Sequence, residues 1–365
     1  MPVHARSALK QVEVCPHGSP DYRELAALGF DPAQVLDFSA NLNPFGPSPR
    51  VVEALQGLPL HRYPDSECWE LRERIAAYHG LAPESILVGN GSSELIWLVA
   101  LALLGRDASV LMLCPTFGEY GVAARLMEAH IADFPLSDVT GFAVDIPGLA
   151  RAIQKIRPVA AFLCNPNNPT GGYLSRQEVA SLLEAGPETL FVLDEAYVDC
   201  AERPWSSADL LKEYRNLLVL RSLTKLHGLA GLRVGYALSG REITFALRKT
   251  KPRWSVSIVA LQAALAAIED CAHLDRSLVR LREGRAFLEA EFADLGYRVI
   301  PSATTFFLTE VGNAAQFRHA LLRRGLLVRD CSSFGLPRYV RISARGLADC
   351  QRLAEAAREV REAQP

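Results

Sequence analysis

The strongest constraint on this chain is an alternation that begins near residue 85. Short apolar runs of β-type residues at 86–88, 110–113, 159–163, 190–193 and 217–220 are separated by stretches with helical spacing. Each run is apolar on both alternating sets of positions, which suits a strand buried on both faces and therefore covered by helices above and below. One intervening stretch, 175–185, opens Ser175-Arg176-Gln177-Glu178, the spacing of a helix capping box. The expected fold is α/β, a mostly parallel central sheet with helices on both faces.

At 365 residues the chain exceeds what one ordinary core organises, so two domains are expected. Residues 1–45, with Gly18, Pro20 and Pro44, read as an irregular N-terminal arm. Beyond 255 the pattern turns helical (258–269, then 276–294), followed by a β-rich module at 297–342 and a final helix. The expected division is an arm at 1–45 that packs with a small domain, a large domain at 46–255, and at 256–365 a linking helix with a smaller α+β C-terminal domain.

Composition narrows the partners. A net charge of −2 offers nothing to nucleic acid or an anionic membrane surface. The most apolar stretch, 95–104, is half the ~20 residues a membrane span needs, so it reads as a buried helix. The first 14 residues lack the apolar run of a signal peptide. The eight cysteines (Cys15, Cys68, Cys114, Cys164, Cys200, Cys271, Cys331, Cys350) include no C-x-x-C pair, which argues against a metal site and a disulfide framework. A cytoplasmic protein with mostly buried thiols and no metal is expected.

Four segments stand at or near predicted strand ends, where open α/β sheets collect their ligands. Gly89-Asn90-Gly91-Ser92-Ser93-Glu94 offers a close backbone approach and a helix start to an anion, although an ordinary strand-to-helix turn reads the same way. Asn165-Pro166-Asn167-Asn168-Pro169-Thr170-Gly171 holds extended backbone at its Asn–Pro steps and frees an amide. Leu193-Asp194-Glu195-Ala196-Tyr197 puts a carboxylate where burial is costly unless a cation faces it; a turn cap is the alternative. Arg221-Ser222-Leu223-Thr224-Lys225, with Arg233 eight positions on, groups hydroxyls, a lysine and an arginine as a phosphate site does, although a lone lysine after a strand is commonly a solvated group.

Together with Pro115-Thr116-Phe117 and Gly231-Leu232-Arg233-Val234-Gly235-Tyr236, these motifs resemble the fold-type I pyridoxal-phosphate enzymes across nearly the whole chain. The resemblance implies pyridoxal 5′-phosphate as cofactor, with Lys225 as its Schiff-base lysine and Asp194 facing the pyridinium nitrogen. Tyr197 and Asn168 would bond the ring 3-oxygen, and Phe117 would stack on the ring. Ser92, Ser93, Ser222, Thr224 and Arg233 would hold the phosphate. Tyr63, in Arg62-Tyr63-Pro64-Asp65, resembles the residue that reaches the phosphate from a second subunit, which implies a homodimer with shared sites.

Within that group the chain resembles both the threonine-phosphate decarboxylases of cobalamin synthesis and the histidinol-phosphate aminotransferases, whose substrates are small phosphorylated amino compounds. Pro16-His17-Gly18-Ser19, Asp37-Phe38-Ser39-Ala40-Asn41-Leu42-Asn43-Pro44 and Trp254-Ser255-Val256-Ser257 favour the first, so decarboxylation of O-phospho-L-threonine is the expected reaction and amino transfer the alternative. Ser19, Pro20 and Tyr197 depart from the decarboxylase pattern. Arg329 and Arg341 resemble the substrate-binding arginines, for phosphate and carboxylate respectively; without the resemblance they read as exposed hairpin arginines. His17, Gly18, Asn43 and Asn168 complete the implied substrate set.

Overall fold

The computed structural model describes residues 6–12 and 18–363. Seven strands form the central sheet: β1 (Ile86–Gly89), β2 (Ser109–Cys114), β3 (His130–Pro135), β4 (Ala160–Cys164), β5 (Leu190–Asp194), β6 (Leu217–Ser222) and β7 (Gly235–Ser239). Their order is β1-β7-β6-β5-β4-β2-β3. Pairing is parallel from β6 to β3, while β7 runs antiparallel to both β1 and β6. The expected mostly parallel sheet is thus present, and every residue of β4, β5 and β6 is buried.

Alternation sends side chains of one strand to two cores. Leu163, Leu193 and Val219 pack on one face of the sheet, and Phe162, Val192 and Leu220 on the other. The helix Arg176–Ala185 begins at the capping box expected for Ser175 and Glu178. Two strands escaped the sequence reading. β3 lies at the sheet edge and is nowhere fully buried, so it lacks an apolar run. β7 begins at Gly235, where an added Cβ would sit 2.7 Å from the Arg221 carbonyl and 2.8 Å from the Ser92 amide, so glycine lets the backbones meet.

A second sheet, order β10-β11-β9-β8, comprises β8 (Arg298–Ile300), β9 (Phe306–Glu310), β10 (Arg329–Asp330) and β11 (Tyr339–Ser343), all antiparallel. Helices Cys271–Asp294 and Leu347–Glu362 cover it around Phe292, Phe307, Phe317 and Leu353. The N-terminal segment is more regular than an irregular arm: Asp21 caps a helix at Tyr22–Ala27, and Leu36–Asp37 pairs in parallel with Leu326–Leu327. Among the described residues no helix is long and apolar enough to cross a membrane, and no His/Cys/Asp/Glu group is arranged to hold a metal ion. The seven described cysteines are free, five of them buried.

One buried charge network ties the strand ends together. Glu195, following β5, accepts hydrogen bonds from Ser206 Oγ (2.7 Å) and the Ser207 amide (2.5 Å) and faces Arg221 of β6 at 3.4 Å. Arg221 also donates to Asp199 at 2.6 Å. Removing the arginine leaves a fully buried carboxylate without its cation. Arg221→Leu is therefore expected to destabilise the fold by about 3–5 kcal/mol, read as a lowered midpoint in urea unfolding.

Candidate active site

The turns after β1, β4, β5 and β6 open into a cavity of about 390 Å³ that narrows to a recess of about 50 Å³. Ser92, Ser93, Phe117, Asn168, Asp194, Tyr197, Thr224, Lys225 and Arg233 line the recess, so residues far apart in the chain meet there. Ser222 stands at its edge through a 2.7 Å hydrogen bond between its hydroxyl and that of Thr224.

The anion end of the recess is the start of helix Gly91–Leu103, whose first amides have no partner within the helix. Gly91 sits at φ +74°, and a Cβ there would lie 2.6 Å from the Arg233 guanidinium. The glycine therefore admits Arg233 across the helix start. Arg233 itself has a left-handed backbone, φ +57°.

At the other end Asp194 is 3% exposed. Its Oδ1 accepts the Ala196 amide at 3.0 Å and its Oδ2 the Tyr120 hydroxyl at 2.8 Å. Burial pushes its carboxyl up from the usual range, against the Tyr120 and Ala196 hydrogen bonds and the Lys225 charge. No lysine or arginine among the described residues lies within ion-pair distance of it. The Lys225 ammonium stands 5.8 Å from the Tyr197 ring centroid, and that ring packs edge-on to Phe306 at 5.1 Å.

The outer cavity holds the two arginines, Cα partners across β10 and β11. Arg341 is buried, donates to Asn168 Oδ1 and, at 2.5 Å, to the Ser39 carbonyl, and has no carboxylate within 4 Å among the described residues. Burial lowers its pKa. Arg329 donates to Ser333 at 2.7 Å and lies over the Phe334 ring. Gly18 lines the same cavity; a Cβ there would lie 3.0 Å from an Arg341 nitrogen.

Two of the expected residues lie outside the cavity of this chain. Asn43 does not line the cavity: its amide donates to the Leu226 carbonyl (2.9 Å) and the Ser277 hydroxyl (3.0 Å) and accepts from the Phe45 amide. It pins the N-terminal segment beside Lys225. Of the motif's two asparagines it is Asn41 that lines the cavity, buried, with neither polar atom of its side-chain amide hydrogen-bonded among the described residues. The two asparagines are separated by one residue in the motif, and only the turn of the backbone tells them apart. Tyr63 is 79% exposed and stacks on Trp254 at 4.6 Å, outside the cavity of its own chain. His17 lies outside the described residues. Of the other motif asparagines, Asn165 spends its amide on the Leu174 backbone, and Asn167 on Thr170 within the turn and on the Pro115 carbonyl and Thr116 hydroxyl of a neighbouring turn.

A separate cavity of about 250 Å³ beside Arg221 and His227 contains none of these residues. The recess, by contrast, matches the donor set that pyridoxal phosphate requires: an amine, a buried carboxylate, a phenol, an amide and an anion-binding helix start.

Known proteins agree with this reading. The family model described as "Aminotransferase class I and II" matches residues 33–357. A histidinol-phosphate aminotransferase of Symbiobacterium thermophilum is 36% identical over 96% of this chain and 97% of its own. The structure of a histidinol-phosphate aminotransferase from Sinorhizobium meliloti in complex with pyridoxal-5′-phosphate superposes with a TM-score of 0.86, at 25% identity, over 99% of this chain and 98% of that one. An L-threonine-O-3-phosphate decarboxylase from Porphyromonas gingivalis gives 0.79 at 29% identity, over 89% and 99%.

These findings overturn the expectation of an O-phospho-threonine decarboxylase in cobalamin synthesis. Further curated relatives, 34–38% identical over 85% or more of the chain, also bear the histidinol-phosphate aminotransferase name. The motifs that favoured decarboxylation are short, whereas these curated relatives, which match over most of the chain, bear the aminotransferase name. The chain belongs to the aminotransferase class I and II family, and it is a fold-type I enzyme that works with pyridoxal 5′-phosphate.

Proposed function

We propose that this enzyme is an aminotransferase that moves the amino group of a phosphorylated amino compound, histidinol phosphate, to a 2-oxo acid. The observation that carries the proposal is the pair Arg329 and Arg341, directly opposite on neighbouring strands and facing one cavity. Two guanidinium groups lining one cavity suit substrates that carry anionic groups. A phosphate monoester is one such group, and the relatives' names supply its carrier. In this reading Arg329 takes the phosphate, Arg341 takes the carboxylate of the oxo-acid partner, and Gly18, Asn41 and His17 close the site.

Lys225 holds the cofactor, Asp194 faces its ring nitrogen, Tyr197 and Asn168 its 3-oxygen, and Phe117 its ring face. The phosphate lies on Ser92, Ser93, Ser222, Thr224 and Arg233. When bound, the cofactor withdraws electrons from the substrate's amine-bearing carbon. Lys225 would carry the proton from that carbon as general base and return it as general acid. The enzyme acts as a homodimer in which Tyr63 of one subunit serves the phosphate site of the other. Each subunit comprises an arm (1–45), a large cofactor domain (46–255) and a linking helix with a small domain (256–365).

Incubation with histidinol phosphate and a 2-oxo acid should yield the substrate's ketone and the new amino acid in equal amounts. Carbon dioxide release from O-phospho-threonine without amino acid formation would overturn the proposal. Borohydride reduction of the holoenzyme should fix the cofactor covalently, and peptide mapping should find it on Lys225; label on another lysine would remove that assignment. Loss of a charge-assisted pair is expected to lower kcat/KM by about 10- to 150-fold. Arg329→Ala should show that loss with histidinol phosphate and far less with glutamate, which has no phosphate. Arg341→Ala should hurt glutamate and leave histidinol phosphate, which carries no carboxylate, nearly unchanged.

A further inference from the structure

Tyr120 belongs to none of the strand-end motifs, yet it touches two cofactor-facing side chains at once. It lies in helix Glu119–Leu126 and is fully buried. Its hydroxyl donates to Asp194 Oδ2 at 2.8 Å. Its ring stacks on Phe162 of β4, centroids 5.1 Å apart at 16°, and meets Phe117 edge-on at 5.5 Å and 80°. The ring is clamped between the sheet core and Phe117, with its hydroxyl beside Asp194 and the Cys164 thiol.

We propose that Tyr120 is a positioning residue that keeps Asp194 ionised and aimed at the cofactor's ring nitrogen while setting the tilt of Phe117. The proposal rests on the placement of Asp194 opposite that nitrogen. Burial favours the neutral carboxylic acid, and a neutral Asp194 would leave the ring nitrogen without its counter-charge. Two donors hold the charged form, the Ala196 amide and the Tyr120 hydroxyl. The tyrosine cannot itself give up the proton to do harm, because burial and the Asp194 charge raise its own pKa well above the ordinary value. Without the hydroxyl, one oxygen of Asp194 loses its donor, and the proton shared between ring nitrogen and carboxylate settles on the carboxylate.

The test compares binding of pyridoxal phosphate with binding of its 1-deaza analogue, which has the same shape but no ring nitrogen. Dissociation constants are measured on apoenzyme, with no turnover involved. Wild type should prefer the natural cofactor, and Asp194→Asn should abolish the preference. Tyr120→Phe, which keeps the ring and its packing, should cut the preference by about 10-fold, the scale of one hydrogen bond to a charged group. Equal weakening of both ligands would mean that Tyr120 only packs, and the proposal would be wrong. If Asp194→Asn kept the full preference, the placement of Asp194 would fail, and this inference with it. Should Tyr120→Phe not fold, 3-fluorotyrosine at position 120, a stronger donor of nearly the same size, should raise the preference; an unchanged ratio overturns the proposal.

Discussion

Two carboxylates stand side by side at the end of β5, and the site depends on their facing opposite ways. Asp194 and Glu195 are 3% and 1% exposed, and successive residues of a strand point to opposite faces. Glu195 turns towards Arg221, Ser206 and Ser207, where the protein supplies a cation and two donors. Asp194 turns into the recess and receives only neutral donors. The first is a structural anion, closed within the fold. The second has only neutral donors in the fold, at a strand end where the parallel sheet gathers the other residues that line the recess.

Much of this arrangement was legible in the sequence because it follows from local rules. Runs apolar on both faces marked five of the seven central strands, and Ser175 with Glu178 marked a helix start to the residue. Asp194 is marked by the cost of burying a carboxylate at a strand end, and Lys225 by the hydroxyls and arginine grouped with it and by the family resemblance; both line the recess. What escaped lacked a local signal. β3 is an edge strand without an apolar run. Asn41 and Asn43 sit two positions apart in one motif, and their opposite fates depend on which amide finds Leu226 and Ser277 across the fold. Tyr120 reads as one more aromatic in a helix, since its bond to Asp194 spans 74 positions.

The reaction was misjudged for a different physical reason. Decarboxylation and amino transfer call on the same lysine, carboxylate and phosphate cradle, so motifs built from those residues cannot separate them. What differs is which bond to the amine-bearing carbon is oriented for cleavage, and in the proposed reading that would depend on the residues lining the outer cavity, Arg329, Arg341, Gly18 and Asn41 among them. Those residues come from β10, β11 and the N-terminal segment, and their mutual placement rests on long-range contacts such as the Leu36–Asp37 pairing with Leu326–Leu327. A short stretch of the N-terminal segment carries little information about that placement, whereas likeness over the whole chain carries a good deal.

The outer cavity then mirrors the recess with the signs reversed. Arg341 is buried and held by an amide and a carbonyl, with no carboxylate within 4 Å among the described residues, as Asp194 is buried and held by a hydroxyl and an amide. Each is costly to keep charged in a low-dielectric interior. In the proposed reading, a bound cofactor and an anionic substrate would offset both costs in one place, the ring cation against Asp194 and the substrate anion against Arg341. Asn168 lines both compartments and accepts from Arg341, so it joins the recess directly to the outer cavity. Buried groups that the fold leaves for ligands to balance would then select ligands that carry the complementary charges.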